Sequence, residues 1–197
     1  MMNRQSLSRG FSFWAFRRDE KGAMAVEGVM FISVLSLILV AVFELGMFML
    51  AHQKIDRAAR TVADLVAQGG AVRGDTITAS EMQDIFHAVD HQTSPFDLVD
   101  NGEVIVSVVS NDVTNGIKIL DQRKYGQLTT ATSKIGTQGG AATLPTGFSL
   151  HSSESVIIAE TIMEYTPYFL SNMWVKPQEI RHMVTFKPRR ANLVDIQ

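Results

Sequence analysis

The sequence contains no cysteine among its 197 residues. Disulfides, zinc sites built on thiolates, iron–sulfur clusters and thiol nucleophiles are therefore excluded. Basic residues are not in excess either, because 18 Lys and Arg stand against 20 Asp and Glu, which gives a formal net charge of −2. Without a positive field, the composition gives no reason to expect a nucleic-acid partner.

Enzyme motifs are also missing from the sequence. We find no nucleophile elbow, no phosphate-binding loop and no acid pair with a supporting motif. His87 and His91 lie four residues apart, which is a metal-ligand spacing, but no HExxH motif surrounds them and no thiolate is available to join them. We therefore expect a protein that is not an enzyme and holds no cofactor or metal, with both histidines in solvent.

One long apolar run dominates the N-terminal part of the chain. It extends from Val29 to Leu50, with Glu44 as its only charge. A helix that crosses the hydrocarbon core of a bilayer needs about 20 such residues. A cleaved secretory signal has a shorter apolar region of about 7–15 residues and a small-residue cleavage site, and residues 51–54 offer no such site. The run therefore predicts one membrane-spanning helix rather than a signal or a buried core helix.

Basic residues on the two sides of the run predict its orientation. Five precede it, namely Arg4, Arg9, Arg17, Arg18 and Lys21. Three follow it, namely Lys54, Arg57 and Arg60. By the positive-inside rule, the N-terminus stays in the cytoplasm and the C-terminal two-thirds lies outside.

The segment just before the run has two unusual residues. Gly22 stands between a charged stretch and the helix, and it suits a flexible backbone site that a protease could extend. Glu27 places a carboxylate one turn after Ala23, in the apolar stretch that leads into this run, where a charge is expensive and usually has a partner. A cut after Gly22 gives Ala23 a free α-amino group one helical turn from Glu27. Pairing of these groups, within one chain or between neighbours, lowers the cost of both in the membrane.

This arrangement resembles the processing site of type IV pilin-like proteins: Gly22, then Ala23 to Val26, then Glu27, then an uninterrupted apolar helix. The residue after the glutamate is often aromatic in that class, whereas it is Gly28 here.

Other segments resemble one family of such proteins more closely. The exit of the span, Glu44-Leu45-Gly46, and the following segment from Gln53 to Arg57-Ala58-Ala59-Arg60 are similar to the TadE family, the pseudopilins of tight-adherence (Tad/Flp) pilus systems. Tyr165-Thr166-Pro167 and Phe186-Lys187-Pro188-Arg189 are similar to the closing strands of that family.

The resemblance implies a function and its partners. A prepilin peptidase cuts after Gly22, and Glu27 then neutralises the terminal amine of Ala23 or of an adjacent subunit. Residues 23–50 pack on the major pilin or on other pseudopilins, in contact with membrane lipid and the inner-membrane assembly platform. The chain is then a minor pilin-like component required for assembly of an adhesive pilus. It lies in the bacterial inner membrane, with its C-terminal domain in the periplasm.

A second interpretation stays open. The chain is then an uncleaved, signal-anchored envelope module for binding or sensing, and Gly22 and Glu27 are incidental. Processing distinguishes the two interpretations, because only the pilin-like protein has a mature chain that starts at Ala23.

Glu44 is placed by helix geometry. It lies about 31 Å beyond Ala23 along a helix with a rise of about 1.5 Å per residue. That length is close to the hydrocarbon thickness. Glu44 is therefore predicted at the outer interface of the membrane, and we expect its carboxylate to reach water there.

Periodicity predicts two helical segments beyond the membrane. Apolar residues at spacings of three and four extend the first helix until Gly69-Gly70: Ile55, Ala58, Ala59, Val62, Leu65 and Val66. A second helix begins at a capping box formed either by Thr78 and Glu81 or by Ser80 and Gln83.

The rest of the chain predicts strands. They run from Glu103 to Ser110, Ile117 to Tyr125, Ser155 to Tyr165 and Ile180 to Lys187. Residues 129–154 are rich in small and polar types and predict a long exposed loop. The fold class is α+β, a long transmembrane helix followed by a small domain with an antiparallel sheet of about four strands. The predicted division is a leader at 1–22, the helix and its extension at 23–68, and a periplasmic domain at 69–197.

Apolar residues on the connection between the last two strands form a candidate docking loop, namely Tyr168, Phe169, Leu170 and Trp174. The loop docks on the outer leaflet or on a neighbouring subunit in one interpretation. In the other, it folds onto its own sheet.

Overall fold

A computed structural model describes residues 20–73, 76–112, 116–152, 154–169, 171, 175–188 and 195–196. Within them the elements follow in this order: α1 (Glu20–Arg73), β1 (Thr76–Ile77), α2 (Ala79–Thr93), α3 (Leu98–Asn101), β2 (Gly102–Asp112), β3 (Gly116–Gly126), β4 (Ser155–Tyr165), β5 (Gln178–Phe186) and β6 (Asp195–Ile196). The chain divides into two compact units, the first ending at Phe43 and the second beginning at Glu44.

The first unit contains the apolar part of α1. Except for half-buried Val40, its large apolar side chains from Met24 to Phe43 are 44–69 % exposed. Two hydroxyls in this stretch donate to the helix itself, Ser33 to the carbonyl of Val29 and Ser36 to the carbonyl of Ile32, both at 2.8 Å. Such internal hydrogen bonds satisfy polar groups where no water is present. Among the described residues, this is the one helix that is long and apolar enough to cross a membrane, with a mean hydropathy of 2.5 over its most apolar window.

The second unit begins with the remainder of α1, which packs on a sheet. The buried residues of this part recur every three or four positions. Of the predicted set, Ile55, Ala58, Ala59, Val62 and Val66 are fully buried and Leu65 is half-buried, and Ala51 is an additional buried residue. The predicted helix end at Gly69-Gly70 is wrong, because α1 continues to Arg73. Glycine in a helix costs about 1 kcal/mol relative to alanine but keeps its backbone N–H, so two glycines weaken a helix without ending it.

The second helix begins where one of the two capping boxes predicts. The backbone N–H of Glu81 donates to the Thr78 hydroxyl oxygen at 3.3 Å, and the backbone N–H of Thr78 donates to the Glu81 carboxylate at 3.0 Å. Met82, Phe86 and Val89 form the buried face of α2. Exposed His87 and His91 lie on the same helix, as predicted.

The sheet has four antiparallel strands in the order β3-β2-β4-β5, which confirms the α+β prediction. The central strand β2 is buried on both faces. Val104, Val106 and Val108 join the core that contains α1 and α2, whereas Ile105 and Val109 belong to two clusters that exclude these helices. A short parallel pair, β1 with β6, was not predicted, because two-residue strands show no periodicity.

Residues 127–154 cover the second face of the sheet, so the predicted exposed loop is partly wrong. The described residues of this segment form no helix or strand of their own, but Ala131, Ile135 and Leu150 are buried against the sheet. The physical reason is that this face carries apolar side chains that need a cover, among them Ile105 and Ile162.

A buried carboxylate fixes this segment to the sheet. The Glu160 side chain is fully buried on β4 and accepts hydrogen bonds from the Ser133 hydroxyl and from the backbone N–H of Lys134, the latter at 3.0 Å. Arg181 on β5 donates to the same carboxylate at 3.3 Å. The charge of Glu160 is therefore neutralised by a neighbouring strand while its oxygens hold the covering segment.

Candidate functional site

Glu44 is a buried carboxylate with three hydrogen-bond donors. Its side chain is on α1, directly after Phe43, and the residue is only 7 % exposed. Oε1 accepts from the Tyr165 hydroxyl and from the backbone N–H of Tyr168, each at 2.9 Å. Oε2 accepts from the backbone N–H of Phe169 at 3.0 Å. Both carboxylate oxygens therefore bind the same short segment of chain.

The end of β4 presents these donors. Tyr165 is the last residue of the strand, and buried Pro167 follows before the chain turns at Tyr168 and Phe169. Three donors replace the water that a carboxylate loses on burial, and hydrogen bonds to an ionised acceptor are the strong ones. Burial raises the pKa of the Tyr165 phenol well above its usual range, and the hydrogen bond to Glu44 raises it further. Tyr165 therefore stays protonated and remains a donor.

The expectation that Glu44 reaches water is wrong. Its helical position alone favours exposure, but a segment more than 120 residues later closes over it. A sequence signal for this contact existed, since Glu44-Leu45-Gly46 and Tyr165-Thr166-Pro167 both carry the family resemblance.

Aromatic rings surround the buried tyrosine. Phe48, one turn after Glu44 on α1, packs edge-on to Tyr165 with ring centroids 5.4 Å apart. Phe96 packs edge-on from the other side at 6.1 Å. A cleft of about 190 Å³ opens beside Tyr165, between Phe96 and Tyr168. The Glu44–Tyr165 hydrogen bond is thus enclosed on the ring side by apolar groups.

The candidate docking loop combines a fixed backbone with exposed rings. Tyr168 and Phe169 are 52 % and 62 % exposed, although their backbone N–H groups are bound to Glu44. Leu170 and Trp174 lie outside the described residues. Both side chains are thus more than half exposed while their backbone is held in place.

A second polar cluster, which sequence reasoning missed, joins α1 to the edge strand β5. Nδ1 of His52 lies 3.2 Å from Nε2 of His182, and Nδ1 of His182 lies 3.5 Å from Oδ1 of Asp56. Asp56 also accepts from Arg60, one turn later on α1, at 3.0 Å. Burial lowers the pKa of His52, and the charge of His182 lowers it further. In the part of the chain that the structure describes, no group of three or more His, Asp or Glu side chains has an arrangement that could hold a metal ion.

The predicted processing site lies at the start of α1. The helix begins at Glu20, so the bond between Gly22 and Ala23 falls in its first turn. Glu27 follows on the same helix and is exposed. Ala23 lies one helical turn before Glu27 on α1.

Comparison with known proteins gives one match. Residues 22–64 match the family model described as TadE-like protein. No curated protein and no solved structure matches the chain. The matched segment begins at Gly22 and includes Ala23, Glu27 and Glu44, so the resemblance to TadE-like proteins is confirmed there. The similar closing strands lie outside the matched residues.

Proposed function

We propose that this chain is a minor pilin-like subunit, a pseudopilin, that is required for assembly of a Tad/Flp-type adhesive pilus. The observation that carries the proposal is the TadE-like match, which starts at Gly22 and contains the complete apolar segment. The subunit acts by packing and not by catalysis. Its partners are the prepilin peptidase, the major pilin, other pseudopilins and the inner-membrane assembly platform.

Processing is the first step of the proposed function. A prepilin peptidase cuts after Gly22, which lies in the first turn of α1. The first backbone N–H groups of a helix have no partner within it, so this turn extends into a protease with few hydrogen bonds lost. The leader at 1–22 stays in the cytoplasm, and the second unit lies in the periplasm.

Packing of the apolar segment is the second step. The exposed apolar side chains of Met24–Phe43 contact lipid before assembly and pilin helices afterwards. Glu27 is exposed within this segment, and a charged residue inside a membrane helix is costly unless it has a partner. The new amine at Ala23 offsets this cost by pairing with Glu27 of its own chain or of a neighbour. Pairing between neighbours favours subunits that are correctly aligned.

Complementation of a strain that lacks this chain tests the proposal. Piliation is expected to disappear in the deletion strain and to return with the wild-type chain. Glu27→Gln is expected to lower the number of pili at least tenfold at equal protein level, because the pairing charge is lost. Gly28→Ala is the matched control, since a Cβ at this exposed neighbour meets no atom within 4 Å.

Two outcomes contradict the proposal. Normal piliation in the deletion strain would favour the uncleaved envelope module. Full piliation with Glu27→Gln would remove the proposed role of that carboxylate in subunit alignment.

A further inference from the structure

Glu44 fixes the loop Tyr168-Phe169 at one point of the chain. Each of its oxygens accepts a backbone N–H of this loop, at 2.9 and 3.0 Å. Glu44 directly follows Phe43, the last residue of the exposed apolar unit. The loop is therefore held at the residue where the apolar segment gives way to the folded domain.

The rings of this loop are among the few large apolar side chains that are exposed on the described part of the second unit. Among the described residues outside α1, three large apolar side chains are highly exposed: Leu120 at 39 %, Tyr168 at 52 % and Phe169 at 62 %. Two of the three are adjacent and are bound through their backbone to the same carboxylate. The second unit thus carries its most exposed aromatic groups on backbone that is bonded to its own first residue, Glu44.

Helix length places that end at a membrane surface. From Gly22 to Phe43 an α-helix extends about 33 Å at about 1.5 Å per residue, and a bilayer core is about 30 Å thick. When this segment spans the bilayer, Glu44 lies at the lipid boundary on the side of the domain. Aromatic rings are enriched at this depth, and tyrosine keeps its hydroxyl in the headgroup region.

We propose that Tyr168 and Phe169 form an aromatic anchor that inserts into the lipid leaflet on the domain's side of the membrane, with Glu44 holding it in place. The aromatic anchor requires that the helix spans the membrane, as in the proposed function, but it does not require pilus assembly. The anchor and the assembly role can therefore be contradicted separately.

Lipid suits this site better than a second protein copy. Two half-exposed rings bury at most a few hundred Å², whereas a specific protein interface buries at least about 1,000 Å². Lipid, in contrast, is already present around every copy whose helix spans the bilayer. The anchor therefore adds apolar burial without an association step.

Single-cysteine labelling measures the depth of the loop directly. The chain has no cysteine, so Phe169→Cys provides a unique thiol for a nitroxide, and Tyr168→Cys provides a second one. Leu120→Cys is the matched control, an exposed apolar position on β3. The full chain is placed at one copy per nanodisc of phosphatidylethanolamine and phosphatidylglycerol. Collision rates with oxygen and with a water-soluble nickel chelate are then measured by electron paramagnetic resonance.

Labels at 168 and 169 are expected to lose most of their collisions with the nickel chelate and to gain collisions with oxygen, whereas the label at 120 stays accessible to the chelate. Equal chelate accessibility at 169 and 120 would overturn the proposal. Protection that occurs only with two copies per disc would also overturn it, because a second copy is then the occupant.

The holding role of Glu44 is tested in the same assay. Glu44→Ala is expected to restore chelate collisions at 169 and to leave the label at 120 unchanged. If Glu44→Ala changes the labels at both 169 and 120, Tyr165→Phe is measured as a second variant. It keeps the carboxylate and both backbone donors, so protection at 169 is expected to be retained. Unchanged protection at 169 in Glu44→Ala would contradict the holding role.

Discussion

The hydroxyl of Tyr165 donates a hydrogen bond of 2.9 Å to Oε1 of Glu44. It joins the end of a central strand to the helix residue that follows the apolar segment. Two of the segments that resemble the TadE family are therefore parts of one structural feature: Glu44-Leu45-Gly46, inside the matched residues 22–64, and Tyr165-Thr166-Pro167, outside them. Their joint occurrence in the sequence has a physical reason, because each supplies what the other lacks: a buried acceptor and its donors.

Removal of the Tyr165 hydroxyl is expected to destabilise the domain. Tyr165→Phe keeps the ring but deprives the buried Glu44 carboxylate of one donor, and a hydrogen bond to a charged group contributes about 1.5–3 kcal/mol. Thermal unfolding of the full chain in detergent micelles, followed by near-ultraviolet circular dichroism, measures the loss. Tyr168→Phe is the control, because Tyr168 binds Glu44 through its backbone N–H while its ring is exposed. Equal melting temperatures for the two variants would contradict the role given to the Tyr165 hydroxyl.

Loss of the Glu160 charge is expected to release the segment that covers the sheet. Glu160→Gln keeps the side-chain size but weakens the hydrogen bonds from Ser133, Lys134 and Arg181, at a cost of about 1.5–3 kcal/mol. Hydrogen exchange of residues 127–150, measured by mass spectrometry, is expected to accelerate while β2 stays protected. Glu164→Gln, at an exposed position of the same strand, is the control. Faster exchange in both variants, or in neither, would argue against this attachment.

Acid is expected to weaken the contact between α1 and β5. Burial, and then the charge of His182, lowers the pKa of His52 below its ordinary value of 6.5. The unfolded chain therefore binds a proton at a higher pH than the folded chain does. The contribution of His52 to the free energy of unfolding is fully present at pH values above 6.5, the ordinary pKa. It falls as the pH decreases toward the lower pKa of the folded chain. Asp56, which lies 3.5 Å from His182 and also binds Arg60, is the acidic group of this cluster.

The melting temperature of the full chain between about pH 7.5 and about pH 5 measures this dependence. His52→Gln is expected to flatten the decrease, whereas His87→Gln, at an exposed position of α2, is expected to leave it unchanged. The same pH profile for His52→Gln and the wild-type chain would show that another group is responsible.

The sequence predicted the elements in which apolar residues alternate along a strand or recur every three or four positions along a helix. Val104, Val106 and Val108 specify one face of β2, and the bounds Ser155 and Tyr165 agree with those of β4. Contacts between distant segments were not predictable in this way. The burial of Glu44 depends on donors at 165–169, and the His52–His182 pair joins residues 130 positions apart. Residues 129–154 have no periodicity, so their packing on Ile105 and Ile162 follows only from the assembled sheet.

The N-terminus of the mature chain tests the proposed function most directly. Intact mass and terminal sequencing of the protein from its native host, with and without the prepilin peptidase, identify this residue. The pilin-like function predicts a chain that starts at Ala23 when the peptidase is present and retains its leader when it is absent. A chain that retains its leader in both strains would contradict the proposed function and favour the uncleaved, signal-anchored module.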